Sequence, residues 1–257
     1  MMHQQLLDRV VFLTGGAKGI GRESALAFAR EGALVAIVDR ELEAAQATAA
    51  EIGTRAMALE CDVGDGPSVA RAFAAVMAAW GRLDVVHNNA GIAMPAKPLH
   101  ETTDDEWDTV FRINLKSVHH TTRAAFPHLV ATRGTIVNTA SMVGLIGQDN
   151  HAAYASTKGG MIALTKAMAV DYAPYGIRVN AVCPASVWTP MLREWLAELP
   201  DPAAMERTMN EMHLLGYCPD GDVIADAVVF LASDRARFIT GCILPVSGGA
   251  ELGYRRR

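Results

Sequence analysis

A chain of 257 residues, 51% hydrophobic and 20% charged, is long enough to bury one large α/β core. A net charge of −5, with no basic stripe or basic helix face, argues against nucleic-acid and acidic-membrane partners. No apolar run approaches the roughly 20 residues of a membrane span, and the opening MMHQQLLDRV lacks the cationic and apolar regions of a secretory signal, so a cytoplasmic protein is expected.

The cysteines, Cys61, Cys183, Cys218 and Cys242, show neither C-x-x-C pairing nor a histidine at ligand spacing. Reduced, mostly buried thiols and no metal site are expected. His119 and His120 are adjacent and leave a helix in different directions, and Arg255-Arg256-Arg257 is too short to form a basic patch.

In chain order, Val10-Val11-Phe12-Leu13 is a short apolar run, as a strand buried on both faces requires. Thr14-Gly15-Gly16-Ala17-Lys18-Gly19-Ile20-Gly21 follows, then an alanine-rich helix to Arg30. A strand that turns through glycines into a helix lets the backbone from Gly15 to Gly21 and the helix N-terminus approach a pyrophosphate without side chains in the way. A second strand, Leu34 to Val38, ends at Asp39, twenty residues after Gly19, where an acid can accept from adenosine ribose hydroxyls. Asp39 would repel a 2′-phosphate and favours NAD. Arg40 could pair with that phosphate, which keeps NADP as a second choice.

The rhythm repeats with a helix from Glu41 to Ile52 and a strand from Ala56 to Glu60, ending in Cys61-Asp62-Val63, where Asp62 can meet an adenine amino group. A helix from Pro67 to Trp80 leads to a strand from Leu83 to His87 and to Asn88-Asn89-Ala90-Gly91, small residues and amides that suit either a flat cofactor or a plain turn. One long helix is expected from Asp104 to Val130 with an irregularity near Pro127. Asn114 inside it either bends the helix or holds a water, because an unbonded amide among apolar positions is costly.

Gly134 to Thr139 is the next strand, with Ser141 directly after it, and a helix follows to about Ala173. Arg178 to Val182 is the sixth strand, and Pro184-Ala185-Ser186-Val187-Trp188-Thr189-Pro190 continues into Met191 to Leu215, punctuated by Pro200 and Pro202. Residues 185–217 are the one long departure from βαβ rhythm and the candidate for a mobile substrate lid. A helix from Asp222 to Ser233 and a strand from Cys242 to Val246 complete the chain. Seven strands alternating with helices predict a single doubly wound Rossmann domain over 1–257, a parallel sheet with helices on both faces and its crevice at the strands' carboxyl ends. Asp39, Asp62, Asn89, Ser141 and Pro184 all fall at such ends.

Tyr154 and Lys158 stand four apart, neighbours across one helical turn. A tyrosine base needs its pKa of about 10 pulled down by about three units, or about 4 kcal/mol. One cation at about 4 Å in an effective dielectric near 20 supplies about that much.

Together these residues resemble a short-chain dehydrogenase/reductase over essentially the whole chain. The match runs through Thr14-Gly15-x-x-x-Gly19-x-Gly21, Asp62, Asn88-Asn89-Ala90-Gly91, Asn114, Ser141, Tyr154-x-x-x-Lys158 and the segment from Pro184 to Pro190. The resemblance implies that Tyr154 is the acid/base, that Lys158 lowers its pKa and binds the nicotinamide ribose, and that Ser141 bonds the reacting oxygen. It also implies that Asn114 holds a water continuing the proton path. Thr189 would meet the carboxamide or the phosphates and the backbone at Val187 the carboxamide, with Val63, Ala90, Gly91, Pro184 and Ala185 lining the cofactor. Two positions depart from the pattern: Ala185 replaces a usual glycine, and Ser247 a frequent aspartate. Shorter segments, Val187-Trp188-Thr189-Pro190, Leu199-Pro200-Asp201-Pro202, Gly147-Gln148 and Gly248 to Tyr254, are similar to the branch containing L-fucose dehydrogenases, some of which also oxidise 17β-hydroxysteroids. That likeness implies a sugar substrate, with Gln148, Asn150, Ser186, Glu194, Trp195 and Tyr254 as further contacts, and a homotetramer.

Overall fold

In the computed structural model, which describes residues 4–93, 95–197 and 199–253, seven strands form one sheet in the order β3-β2-β1-β4-β5-β6-β7, every neighbouring pair parallel. The strands are β1 (Val10–Thr14), β2 (Leu34–Asp39), β3 (Ala56–Glu60), β4 (Val85–Asn88), β5 (Thr135–Thr139), β6 (Arg178–Pro184) and β7 (Ile243–Val246). Helices α1 (Gly19–Arg30), α2 (Leu42–Ile52) and α3 (Gly66–Trp80) connect the first four. β1, β4 and β5 are buried along their whole length, which is why they read as unbroken apolar runs rather than alternating ones. Chain order moves from β1 out to β3, then returns to β4 on the other side of β1. The crevice of a doubly wound sheet opens at that reversal, beside Thr14 and its register partner Asn88.

Each face of the sheet carries its own apolar layer. Phe12 stacks on Phe73 of α3 at 3.7 Å between ring centroids, in a layer with Val86, Leu129, Ile136 and Met161. Leu13, Phe28, Ile37 and Ile224 fill the other, under α1 and α9 (Asp222–Ala232). Phe12 and Phe28 are fully buried, each contributing about 2–3 kcal/mol of transfer free energy.

The helix expected from Asp104 to Val130 is broken, and not at Pro127. It comprises α4 (Asp104–Phe111), a π-turn (Arg112–Lys116) and α5 (Ser117–Thr132). Pro127 sits inside α5 without ending it, because Pro127 and Arg123, whose carbonyl loses its helical donor, are both exposed to water. Thr103 and Glu106 form a capping box that fixes the start of α4.

After β5 comes α6 (Ala152–Tyr172), and residues 185–217 contain two helices, α7 (Pro190–Ala197) and α8 (Pro202–Met212). Asp201 caps α8 by accepting from the Ala204 amide at 2.9 Å. This segment is tied back at both ends: Trp188 N–H donates to Pro219 O at 2.8 Å and Leu215 N–H to Gly248 O at 3.2 Å. Among the described residues no helix is long and apolar enough to cross a membrane.

Candidate active site

The loop after β1 is built for close approach. Thr14 Oγ1 accepts from the amides of Asn89 and Ala90, both at 3.1 Å, and Asn89 Nδ2 donates to Gly15 O at 3.0 Å. Gly15 has φ +64, and a side chain there would meet Ala90 Cα at 2.8 Å; a Cβ on Gly21 would lie 1.9 Å from Gly15 O. Across Gly19, Thr189 Cγ2 would stand 3.1 Å from an added Cβ, so the segment after β6 roofs the glycine loop. An all-backbone cradle at a helix N-terminus suits a pyrophosphate and fits the dinucleotide expected from the sequence.

At the far edge, Asp39 Oδ2 accepts from Ala17 N–H and Oδ1 from Glu41 N–H, both at 3.1 Å. Lys18 pairs with Glu41 at 2.6 Å, while Arg40 is exposed. Asp62 accepts from Gly64 N–H at 2.8 Å and pairs with Arg112 at 3.2 Å; the carbonyl of buried Val63 bonds His120 Nδ1 at 3.1 Å. The sequence reading missed Arg112 because it arrives from the π-turn, fifty residues away.

Ser141, at the end of β5, accepts from Val143 N–H at 3.3 Å and lies 3.5 Å from the carbonyl of Pro184. Tyr154, in the first turn of α6, hydrogen-bonds Ser141. Burial raises the phenol's pKa above 10, and the Ser141 bond opposes that rise. Lys158 is 4% exposed; its Nζ lies 5.6 Å from the Tyr154 ring centroid and donates to Thr139 O at 2.7 Å. Burial pushes Lys158 down to about 8. The Lys158 ammonium, expected to lower the phenol's pKa, is held by a main-chain carbonyl with the Tyr154 ring centroid 5.6 Å away. Gly144 is required beside this pair, since a Cβ there would meet the Lys158 carbonyl at 2.8 Å.

Asn114 is fully buried in the π-turn. Its Nδ2 donates to Ile92 O at 2.8 Å and Thr157 Oγ1 at 3.1 Å, and its Oδ1 accepts from Ile92 N–H at 2.8 Å. The side chain thus bends the helix and pins the loop after Gly91, where an added Cβ would come within 3.3 Å of Asn114 Oδ1 and 3.5 Å of Lys158 Nζ. Asn114, Ser141, Tyr154 and Lys158 are brought together around the ends of β4, β5 and β6.

The substrate-side residues are scattered more widely. Gln148 and Asn150 are exposed on the loop before α6, and Asn150 has φ +57. Ser186 is half-buried and its carbonyl accepts from Cys218 Sγ at 3.3 Å; Val187 is buried, and Ala185 half-buried. Glu194 is exposed on α7, and its charge acts on Lys18 at the glycine loop. The Trp195 side chain and Tyr254 lie outside the described residues. Ser247, in place of aspartate, donates to Glu251, so a carboxylate still reaches the turn after β7. Sequence reasoning missed Thr139 and Thr157, whose only signal was proximity in sequence to Ser141 and Lys158. Among the described residues no group of three or more His, Cys, Asp or Glu side chains could hold a metal ion.

A family model described as enoyl-(acyl carrier protein) reductase matches residues 15–251. L-fucose dehydrogenase of Bos taurus is 39% identical over 257 residues, covering 100% of this chain and 94% of the relative. Meso-2,3-butanediol dehydrogenase of Serratia marcescens is 39% identical over 244 residues, covering 95% of this chain and 94% of the relative. The solved 3-ketoacyl-(acyl-carrier-protein) reductase from Brucella melitensis, complexed with NADH, superposes with a TM-score of 0.90 at 33% identity, covering 96% of this chain and 99% of that one.

Proposed function

Because the chain belongs to the short-chain dehydrogenase/reductase family of NAD(P)-dependent oxidoreductases, we propose that it oxidises the C1 hydroxyl of an aldose such as L-fucose, L-galactose or D-arabinose to the lactone, with NAD preferred. The observation that carries the sugar is the full-length similarity to a mammalian L-fucose dehydrogenase. Asp39 at the ribose end supports NAD over NADP, because a carboxylate repels a 2′-phosphate.

The bound nicotinamide supplies the hydride acceptor. Gly15, Lys18, Gly19, Ile20 and Gly21 would hold the dinucleotide's pyrophosphate; Asp39 would bind the adenosine ribose, and Asp62 and Val63 the adenine. Asn89, Ala90, Gly91, Pro184, Ala185, Val187 and Thr189 shape the nicotinamide end. Ser141 holds the substrate oxygen and Tyr154 removes its proton as the carbon–hydrogen bond breaks. Lys158, held in place by the Thr139 carbonyl, is the next proton-bearing group inward. Asn114 braces the loop beside Lys158 through Ile92 and Thr157.

A second reading is a small or alicyclic secondary alcohol, because meso-2,3-butanediol and cyclopentanol dehydrogenases are equally similar. Hydroxysteroid oxidation and 3-oxoacyl thioester reduction complete the comparison set. A panel of these compounds with NAD and NADP, followed by nicotinamide absorbance, decides among them. No turnover of any aldose alongside turnover of another alcohol would remove the sugar. Tyr154→Phe is expected to keep nucleotide binding and lose at least about 10³-fold in kcat/KM, an effect at the upper end for one acid/base group. Sedimentation would test the homotetramer that forms part of this reading.

A further inference from the structure

We propose that Glu41 is a specificity-determining residue: by holding Lys18 in an ion pair beside Asp39, it withdraws one of the two cations, Lys18 and Arg40, that a 2′-phosphate could use. The inference rests on the nucleotide reading above and extends it beyond Asp39. Lys18 immediately precedes α1 and Glu41 immediately precedes α2, so the two helix starts meet across the ribose end of the crevice, with Nζ and Oε2 2.6 Å apart. Asp39 lies between them, clamped by the amides of Ala17 and Glu41. Its carboxylate therefore stays at the ribose and cannot swing aside without losing two hydrogen bonds.

The charge balance around Lys18 is one ammonium against three carboxylates, Glu41, Asp39 and Glu194 of α7, each of which raises the lysine's pKa. Arg40 acts more weakly on the same Glu41 carboxylate, whose hydrogen bond and ion pair are with Lys18. The Glu41 side chain makes no capping hydrogen bond to α2. An exposed pair of this kind contributes little to stability, with Lys18 57% and Glu41 48% exposed, so its consequence lies in which anion the crevice admits. A 2′-phosphate carries up to two negative charges and needs a positively charged partner. Here Lys18 is already paired, which leaves Arg40.

The test is equilibrium binding of NADH and NADPH to the full chain, read by nucleotide fluorescence at low and high salt. Wild type is compared with Glu41→Gln, Lys18→Met and the double variant. Glu41→Gln is expected to raise NADPH affinity relative to NADH by about two- to fivefold, the scale of one exposed charge pair. The gain should disappear when Lys18 is also removed and shrink in high salt. An unchanged ratio in Glu41→Gln, with tight NADH binding by wild type, overturns this inference alone, as does a gain that survives in the double variant. Wild type that binds neither nucleotide overturns the dinucleotide reading and this inference with it.

Discussion

The ammonium of Lys158 donates to the carbonyl of Thr139 at 2.7 Å and not to the phenol of Tyr154 four residues earlier. That bond places a cation in the sheet–helix junction at a cost. Lys158 titrates at about 8 in the fold against an ordinary 10.5, so the unfolded chain holds the extra proton between those values. Stability therefore rises with pH across that window, and the penalty is complete below about 8. Lys158→Met is expected to be more stable than wild type at pH 7, by about 1–2 kcal/mol once the lost Thr139 bond is subtracted, and to be inactive. Urea melts at pH 7 and pH 10.5 check this, the advantage shrinking at the higher pH.

Ser141 is the group that opposes the burial-driven rise of Tyr154. With the phenol's pKa above 10, oxidation should accelerate with pH as tyrosinate forms. Ser141→Ala removes the opposing hydrogen bond and should move that limb to still higher pH, besides lowering kcat by about 10²-fold or more. A limb that stays in place in a kcat/KM profile would show that Ser141 does not tune the phenol.

Asn114 makes three hydrogen bonds with no access to water. Asn114→Leu leaves both backbone groups of Ile92 without that partner and is expected to cost about 2–4 kcal/mol in a denaturant melt. Thr157→Val removes one of the three contacts and should cost about 1 kcal/mol.

Gly21→Ala would force a methyl to within 1.9 Å of the Gly15 carbonyl oxygen, a main-chain atom that cannot rotate away. NADH affinity is expected to fall at least tenfold. Gly53→Ala is the control: φ +82 strains the residue by about 1 kcal/mol, but no atom lies within 4 Å and nucleotide binding should be unchanged.

The sheet was legible because each strand is a short apolar run bounded by glycine or by a site residue, and the observed ends of β1, β2 and β3 lie within a residue of those read from the runs. The start of β4 at Val85 was not, since Asp84 accepts from the Val10 amide outside the ladder. A bend at Asn114 was one of two alternatives read from the sequence, but its form as a π-turn was not legible, for a related reason. Asn114 is drawn in by Ile92 and Thr157, 22 and 43 residues away, and no local propensity encodes partners so distant. The Tyr154–Lys158 spacing placed the two side chains as neighbours on one helix but did not show where the ammonium points. That depends on Thr139, which the strand delivers to the junction.

The π-turn also fixes the angular phase of its surroundings. Arg112 and Asn114 leave the same widened turn, one towards Asp62 just beyond β3 and the other towards Ile92 and Thr157 beside Lys158. An α-helix advances about 100° per residue. Deleting one residue between 112 and 116, which would restore an ordinary helix locally, would rotate α4 by that angle relative to α5. Arg112 and Asn114 could not both keep their partners. The turn thus behaves as a keyed joint: its extra residue sets the dial for two ends of one crevice at once, and neither can be adjusted alone.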